Sequence, residues 1–162
     1  MRKIHMIEKF SLLDKVLMGI GFYGMTIIAL YAIYLVSFTW VLIYLGVFVF
    51  GMLVLFGYCL CSHCPYPHSH SSCLFPPFGQ IFKRLYTYRP GPLNATEKTG
   101  FWVIMIGIIV VMPQYWLLKN YTLMILFWLL CLPTFAGFVF YNCKRCKCSH
   151  CPLNLAGDKY RS

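Results

Sequence analysis

The feature that most constrains this chain is an uncharged stretch at residues 16–62, where 47 consecutive residues include no Asp, Glu, Lys, Arg or His. A single helix of that length would extend roughly 70 Å, whereas the hydrocarbon core of a bilayer is about 30 Å thick. The stretch therefore has to cross a membrane twice. The sequence Ser37-Phe38-Thr39-Trp40 supplies small polar residues for a turn, and a tryptophan there suits the membrane interface.

Two further apolar stretches follow, at residues 101–118 and 121–142, separated by the short polar turn Lys119-Asn120. Each is long enough to span the bilayer as a helix. The sequence therefore predicts an all-α integral membrane protein with four transmembrane helices arranged as two hairpins. The expected division is an amphipathic N-terminal segment (1–15), hairpin 1 (16–58), a Cys/His-rich loop (59–100), hairpin 2 (101–142) and a Cys-rich tail (143–162).

Composition supports a membrane class. Hydrophobic residues make up 60% of the chain and charged residues only 11%, whereas about 25% of residues are charged in soluble domains. Intrinsic disorder requires low hydrophobicity, so it is excluded as well.

The basic residues predict the orientation. Of the 14 lysines and arginines, 13 lie before the first span, between the hairpins or after the last span, and only Lys119 lies on the other side. The positive-inside rule then places both termini and the central loop in the cytoplasm. Attraction to anionic headgroups is sufficient to account for the net charge of +10. The sequence contains no nucleic-acid-binding module, and we expect no nucleic-acid partner.

Two segments outside the spans have the helical spacing of apolar residues that is typical of surface-lying amphipathic helices. They are Ile4, Ile7, Phe10 and Leu13 in the N-terminal segment, and Phe78, Ile81, Phe82 and Leu85 in the loop. The second helix should end before Pro90. We expect its basic, aromatic-rich surroundings, residues 75–92, to dock lipid headgroups or another membrane or cytoplasmic protein subunit.

None of the predicted spans contains a charged residue or a histidine. Intramembrane ionisable groups are the usual mark of proton relays and ion pathways, so the sequence argues against a pump, an ion-coupled transporter or an intramembrane bis-histidine haem. The glycines in the spans, Gly21 and Gly24 among them, predict close approach of helices. Cys131, alone within a span, is interpreted as a small packing residue.

Eight of the nine cysteines form two clusters, each starting where a hairpin ends. The core pattern C-x-C-S-H-C-P occurs twice, at residues 59–65 and 146–152. Its repetition after each hairpin suggests an internal duplication. Because both clusters are predicted on one side of the membrane, they can meet.

The chemistry expected of these clusters is metal binding. Cytoplasmic thiols are kept reduced, which makes a disulfide framework the weaker interpretation, and a C-x-x-C pair there is typical of a metal or redox site. Two such pairs, Cys61/Cys64 and Cys148/Cys151, supply the four ligands of one tetrahedral site. The remaining clustered cysteines could form a second site, and four histidines are reserve ligands: Cys59, Cys73, Cys143 and Cys146; His63, His68, His70 and His150. Palmitoylation of Cys59 and Cys143 is an alternative use of juxtamembrane thiols.

Thiolates select soft ions, and we rank zinc first, an iron–sulfur cluster second and copper third. The second cluster has the spacing C-x2-C-x-C-x2-C-P, which departs from the ferredoxin pattern C-x2-C-x2-C-x3-C-P. The chain has four acidic residues and no nucleotide loop or serine elbow, so a non-enzymatic role is favoured. We expect a membrane scaffold or accessory subunit with a zinc thiolate site; the alternative is an electron-transfer subunit that carries an iron–sulfur cluster.

Overall fold

A computed structural model describes residues 10–68, 73–74, 78–146 and 151 of the chain. Within those ranges every regular element is helical, and no strand is present. The helices are α1 (Leu12–Tyr34), α2 (Phe38–Cys61), α3 (Pro65–His68), α4 (Phe78–Leu85), α5 (Ala95–Leu117) and α6 (Tyr121–Asn142). Four of them, α1, α2, α5 and α6, are long and apolar enough to cross a membrane. The predicted all-helical fold is thus confirmed for the described residues, with four helices that are compatible with membrane spans.

Capping residues set where the long helices begin. The Ser11 hydroxyl accepts from the Asp14 backbone N–H at 3.1 Å, and the Asp14 carboxylate accepts from the Ser11 backbone N–H at 3.1 Å. This capping box starts α1 at Leu12, four residues before the predicted span. The Glu97 carboxylate similarly accepts from the Asn94 backbone N–H at 2.8 Å and α5 starts at Ala95. Capping depends on hydrogen bonds between side chains and backbone. Hydropathy alone therefore did not predict the first residues of α1 and α5.

The helices that lead into the two cysteine clusters end in the same way. The last part of α2, Gly51–Cys61, and the last part of α6, Gly137–Asn142, are both π-helical. In α2 the Ser62 backbone N–H donates to the Gly57 carbonyl at 3.0 Å, five residues earlier. Helix α5 has a π-helical part as well, Val103–Val111, which does not line the cysteine cavity, so a π-helical turn by itself does not mark a site in this protein.

The four long helices form a bundle in which α1 packs against α2 and α6, and α2 packs against α5. Helix α1 approaches α6 so closely at Gly21 that a β-carbon there would overlap the Thr134 hydroxyl. Helix α1 begins at the same end of the bundle where α2 and α6 end. We call this the cysteine end, defined by Phe10, Cys61 and Cys143, which line a common cavity.

Candidate metal centre

Six of the eight described cysteines, drawn from both clusters, line one cavity of about 70 Å³ at the cysteine end. They are Cys61, Cys64, Cys73, Cys143, Cys146 and Cys151. The first three follow hairpin 1 and the last three follow hairpin 2. The tertiary structure thus brings together side chains that lie about half the chain apart in sequence.

Two tight turns aim the cysteines at this cavity. The Cys64 backbone N–H donates to the Cys61 carbonyl at 3.3 Å, and the Cys146 backbone N–H donates to the Cys143 carbonyl at 3.2 Å. Each C-x-x-C segment therefore curls over three residues, as a two-thiolate knuckle requires. The sequence interpretation paired Cys61/Cys64 with Cys148/Cys151. Cys151 lines the cavity and Cys148 lies outside the described residues, while Cys143/Cys146 is a further C-x-x-C pair in the cavity wall.

Apolar side chains form most of the remaining cavity wall. They are Phe10, Phe56, Leu60, Tyr66, Leu74 and Phe138. The rings of Phe10 and Tyr66 lie against one another with their centroids 4.8 Å apart. Among the described residues, Asn142 is the one polar wall residue besides the cysteines and Tyr66. An apolar wall lowers the local dielectric constant. The attraction between a metal ion and thiolates in the cavity would therefore be stronger than in water.

The sulfur positions do not by themselves form a coordination shell. Within the part of the chain that the structure describes, no three His, Cys, Asp or Glu side chains are placed closely enough to hold a metal ion. A tetrahedral zinc site needs sulfur atoms about 2.3 Å from the ion, so metal binding would require the thiols that line the cavity to move inward. Three of the predicted ligands, Cys148, His70 and His150, lie outside the described residues.

Two of the described cysteines lie away from the cavity. Cys59 packs between α2 and α5, where its sulfur would be 3.0 Å from a β-carbon placed at Gly100. Cys131 is buried within α6, as expected for a packing residue. Neither lines the cavity, although Cys59 was predicted as a ligand of a second site.

His63, a predicted reserve ligand, belongs to a different polar cluster. Its Nε2 lies 3.4 Å from a Glu97 carboxylate oxygen and 3.1 Å from an Arg89 guanidinium nitrogen, while its Nδ1 lies 3.2 Å from the Gly91 carbonyl. Arg89 also pairs with Glu97 and donates to the Tyr58 hydroxyl at 3.1 Å. We call His63, Arg89 and Glu97 the loop triad, because it ties the loop before α5 to the end of α2.

The interactions of Arg89 in the loop triad and with Tyr58 raise its pKa. Partial desolvation lowers the pKa of Arg89, but hydrogen bonds to Tyr58 and Glu97 raise it by more, and the net shift is upward. The other reserve ligand that is described, His68, lies beside Tyr88 with ring centroids 5.5 Å apart and planes tilted by 44°. Its Nε2 is buried with no hydrogen-bond partner among the described residues, whereas both ring nitrogens of His63 have partners in the loop triad.

Sequence reasoning missed Tyr66, Asn142 and Arg89 as parts of this end of the bundle. The pattern Asn94-x-x-Glu97 is a capping-box signature that could have located Glu97. No local sequence pattern identifies Tyr66, Asn142 or Arg89. Compared with known proteins, the chain matches no family model, no curated protein and no solved structure.

Proposed function

We propose that this protein is an integral membrane metal-binding protein, a scaffold or accessory subunit in which a shared thiolate site binds zinc and fastens the two cysteine clusters into a cap. The observation that carries the proposal is the convergence of Cys61, Cys64, Cys143, Cys146 and two further cysteines on one cavity. Packing alone gives no reason for six thiols from two distant segments to share a wall.

The chemistry of the donor set supports zinc. Structural zinc is bound by four thiolates in tetrahedral geometry, and its binding energy contributes directly to folding. Each hairpin supplies a curled C-x-x-C knuckle, and Cys73 and Cys151 add further donors. The ion would complete the site by drawing the thiols inward. Cys148 remains a candidate ligand from its sequence pattern.

The proposed cap is cytoplasmic. The 13 basic residues that precede the first span, lie between the hairpins or follow the last span in the sequence favour that orientation. A reducing compartment keeps thiols available for metal. The repeated C-x-C-S-H-C-P pattern after each hairpin is consistent with a duplicated unit that contributes half of the site each time.

Helix α4 is proposed to contact the membrane surface or a protein subunit. Phe82 is 1% exposed and holds α4 against the bundle, whereas Ile81 and Leu85 are exposed. Lys83 and Arg84 are exposed as well. An apolar edge beside basic residues is the pattern of a helix that rests on anionic headgroups.

The test is the metal content of protein purified without oxygen and without added chelator. We expect a colourless protein that contains zinc in fixed proportion to the chain. A brown protein with iron and labile sulfide would instead establish the electron-transfer alternative. Protein that binds neither metal after incubation with zinc under reducing conditions would overturn the proposal, and alkylation of the thiols before and after reduction would then reveal disulfides.

A further inference from the structure

A second cavity of about 380 Å³ lies between the first turns of α1 and the last turns of α6. We call it the α1–α6 groove; its walls include Leu17, Ile20, Leu130 and Pro133. Its volume is within the range of about 300–1,000 Å³ that is typical of small-molecule sites. Because both helices are membrane spans, the groove lies at the end of the bundle where lipid headgroups meet acyl chains.

One residue of the groove wall, Asn142, has a buried polar atom that lacks a partner within the described residues; Asn142 also lines the cysteine cavity. Asn142 is 3% exposed and lines the groove. Its amide nitrogen donates to the Gly137 carbonyl at 3.3 Å, which fixes the orientation of the amide. Its side-chain oxygen is buried and accepts no hydrogen bond within the described residues. Buried acceptors in folded proteins almost always have a donor, so this oxygen calls for a ligand that supplies one.

Charged groups near the groove indicate what kind of headgroup would supply that donor. The Asp14 carboxylate lines the groove, and as a carboxylate it can accept hydrogen bonds beyond those from Ser11. Tyr141 also lines it, and the Arg145 guanidinium lies 5.0 Å from the centre of the Tyr141 ring. The groove therefore has an acid and a buried acceptor in its wall and a base next to it.

We propose that the α1–α6 groove binds one phospholipid with a primary ammonium headgroup, such as phosphatidylethanolamine. The ammonium carries three N–H donors, which suits the Asp14 carboxylate and the Asn142 oxygen. The lipid phosphate faces Arg145, and the acyl chains lie along Leu17, Ile20 and Pro133. This proposal concerns a different cavity from the metal site, although Asn142 lines both cavities.

Dioleoyl phosphatidylcholine provides a matched control lipid. It has the same charges and acyl chains as dioleoyl phosphatidylethanolamine, but its quaternary ammonium has no N–H donor. Native mass spectrometry of the detergent-solubilised protein incubated with each lipid would report the fraction that retains one molecule. We expect phosphatidylethanolamine to be retained about tenfold better, which corresponds to one or two charge-assisted hydrogen bonds.

Two substitutions would assign the preference to the groove. Asn142→Leu removes the acceptor, and Asp14→Asn removes the charge; each should reduce the preference to about twofold or less. Gln114→Leu is the control, because it deletes an amide in α5 that bonds to Val110 and lies outside the groove, and it should keep the preference.

Equal retention of the two lipids by the unaltered protein would overturn the proposal. A preference that survives both Asn142→Leu and Asp14→Asn would also overturn it, by placing the lipid elsewhere. Displacement of the lipid by free phosphoethanolamine would show that a soluble ligand is recognised and would likewise contradict the assignment. Zinc content measured in the same samples should be unchanged by the choice of lipid, so failure here and failure of the metal proposal are distinguishable.

Discussion

The aromatic rings of Phe10 and Tyr66 lie with their centroids 4.8 Å apart and their planes inclined by 42°. Phe10 precedes α1, and Tyr66 belongs to the short helix that follows the first knuckle. Both side chains are buried, and both line the cysteine cavity. Phe10 therefore covers part of the site that the proposed function assigns to zinc.

Phe10→Ala should open this cover. Truncating a buried phenylalanine costs up to about 3–5 kcal/mol in protein cores, and here the loss exposes the cavity. We expect faster alkylation of the cavity thiols by a water-soluble maleimide and faster zinc loss to a chelator. Leu12→Ala is the matched control, since Leu12 is 77% exposed and should change neither rate. Unchanged alkylation in Phe10→Ala would mean that Phe10 does not guard the cavity.

The shared-site hypothesis predicts strong non-additivity between the knuckles. Cys61→Ser and Cys146→Ser should each abolish most zinc binding, and the double variant should lose little more, because all ligands hold one ion. Cys59→Ser and Cys131→Ser are the controls, because neither residue lines the cavity, and both should retain full metal content. If each single variant lost half the zinc and the double lost all of it, each cluster would bind its own ion.

Gly21→Ala should weaken the contact between α1 and α6. The new methyl group would overlap the Thr134 hydroxyl, which donates to the Leu130 carbonyl at 2.6 Å and cannot rotate away without losing that bond. Overpacking of this kind costs about 1–3 kcal/mol, so the apparent Tm in detergent should fall. Gly46→Ala should leave it unchanged or raise it, because a β-carbon at Gly46 has open space around it. Adding Thr134→Ala to Gly21→Ala should recover part of the loss; no recovery would place the strain elsewhere.

Glu97→Ala should loosen the loop triad. Glu97 is 6% exposed, and its removal takes away the capping acceptor of α5 and the partner of Arg89. The cost should be about 1–3 kcal/mol, discounted for the partial exposure of Arg89. Limited proteolysis should then cut the loop before α5 faster. Lys98→Ala, at an exposed neighbouring position, should not change the cutting rate, and equal rates in all three proteins would contradict a structural role for the triad.

The predicted orientation can be measured with a reporter that is active only outside the cytoplasm. Fused after Ser162 it should give no signal, whereas inserted between Lys119 and Asn120 it should be active. The physical reason is that segments rich in lysine and arginine are retained in the cytoplasm, and 13 of the 14 basic residues belong to segments on one predicted side of the membrane. The reverse pattern would invert the topology and remove the reducing compartment on which the zinc proposal depends.

The four spans could be predicted from the sequence because crossing a bilayer depends on a property that sums locally. Moving an uncharged run of 47 residues from water into the bilayer is favourable whatever the rest of the chain does. Because the run is too long for one span, it has to cross twice. The turn near Ser37 and the cap at Asn120 follow from local polarity in the same way. The helix at Phe78–Leu85 was marked by its apolar spacing.

Which cysteines meet was decided only by the tertiary structure. Cys59 and Cys61 lie two residues apart, and residues at that spacing on a helix do not face the same side; α2 continues to Cys61, so only Cys61 reaches the cavity. Phe10, Tyr66 and Asn142 enter its wall because α1 begins where α2 and α6 end. Such contacts depend on how helices pack against each other, through close approaches such as Gly21 on Thr134, and no local sum of residue properties contains that information.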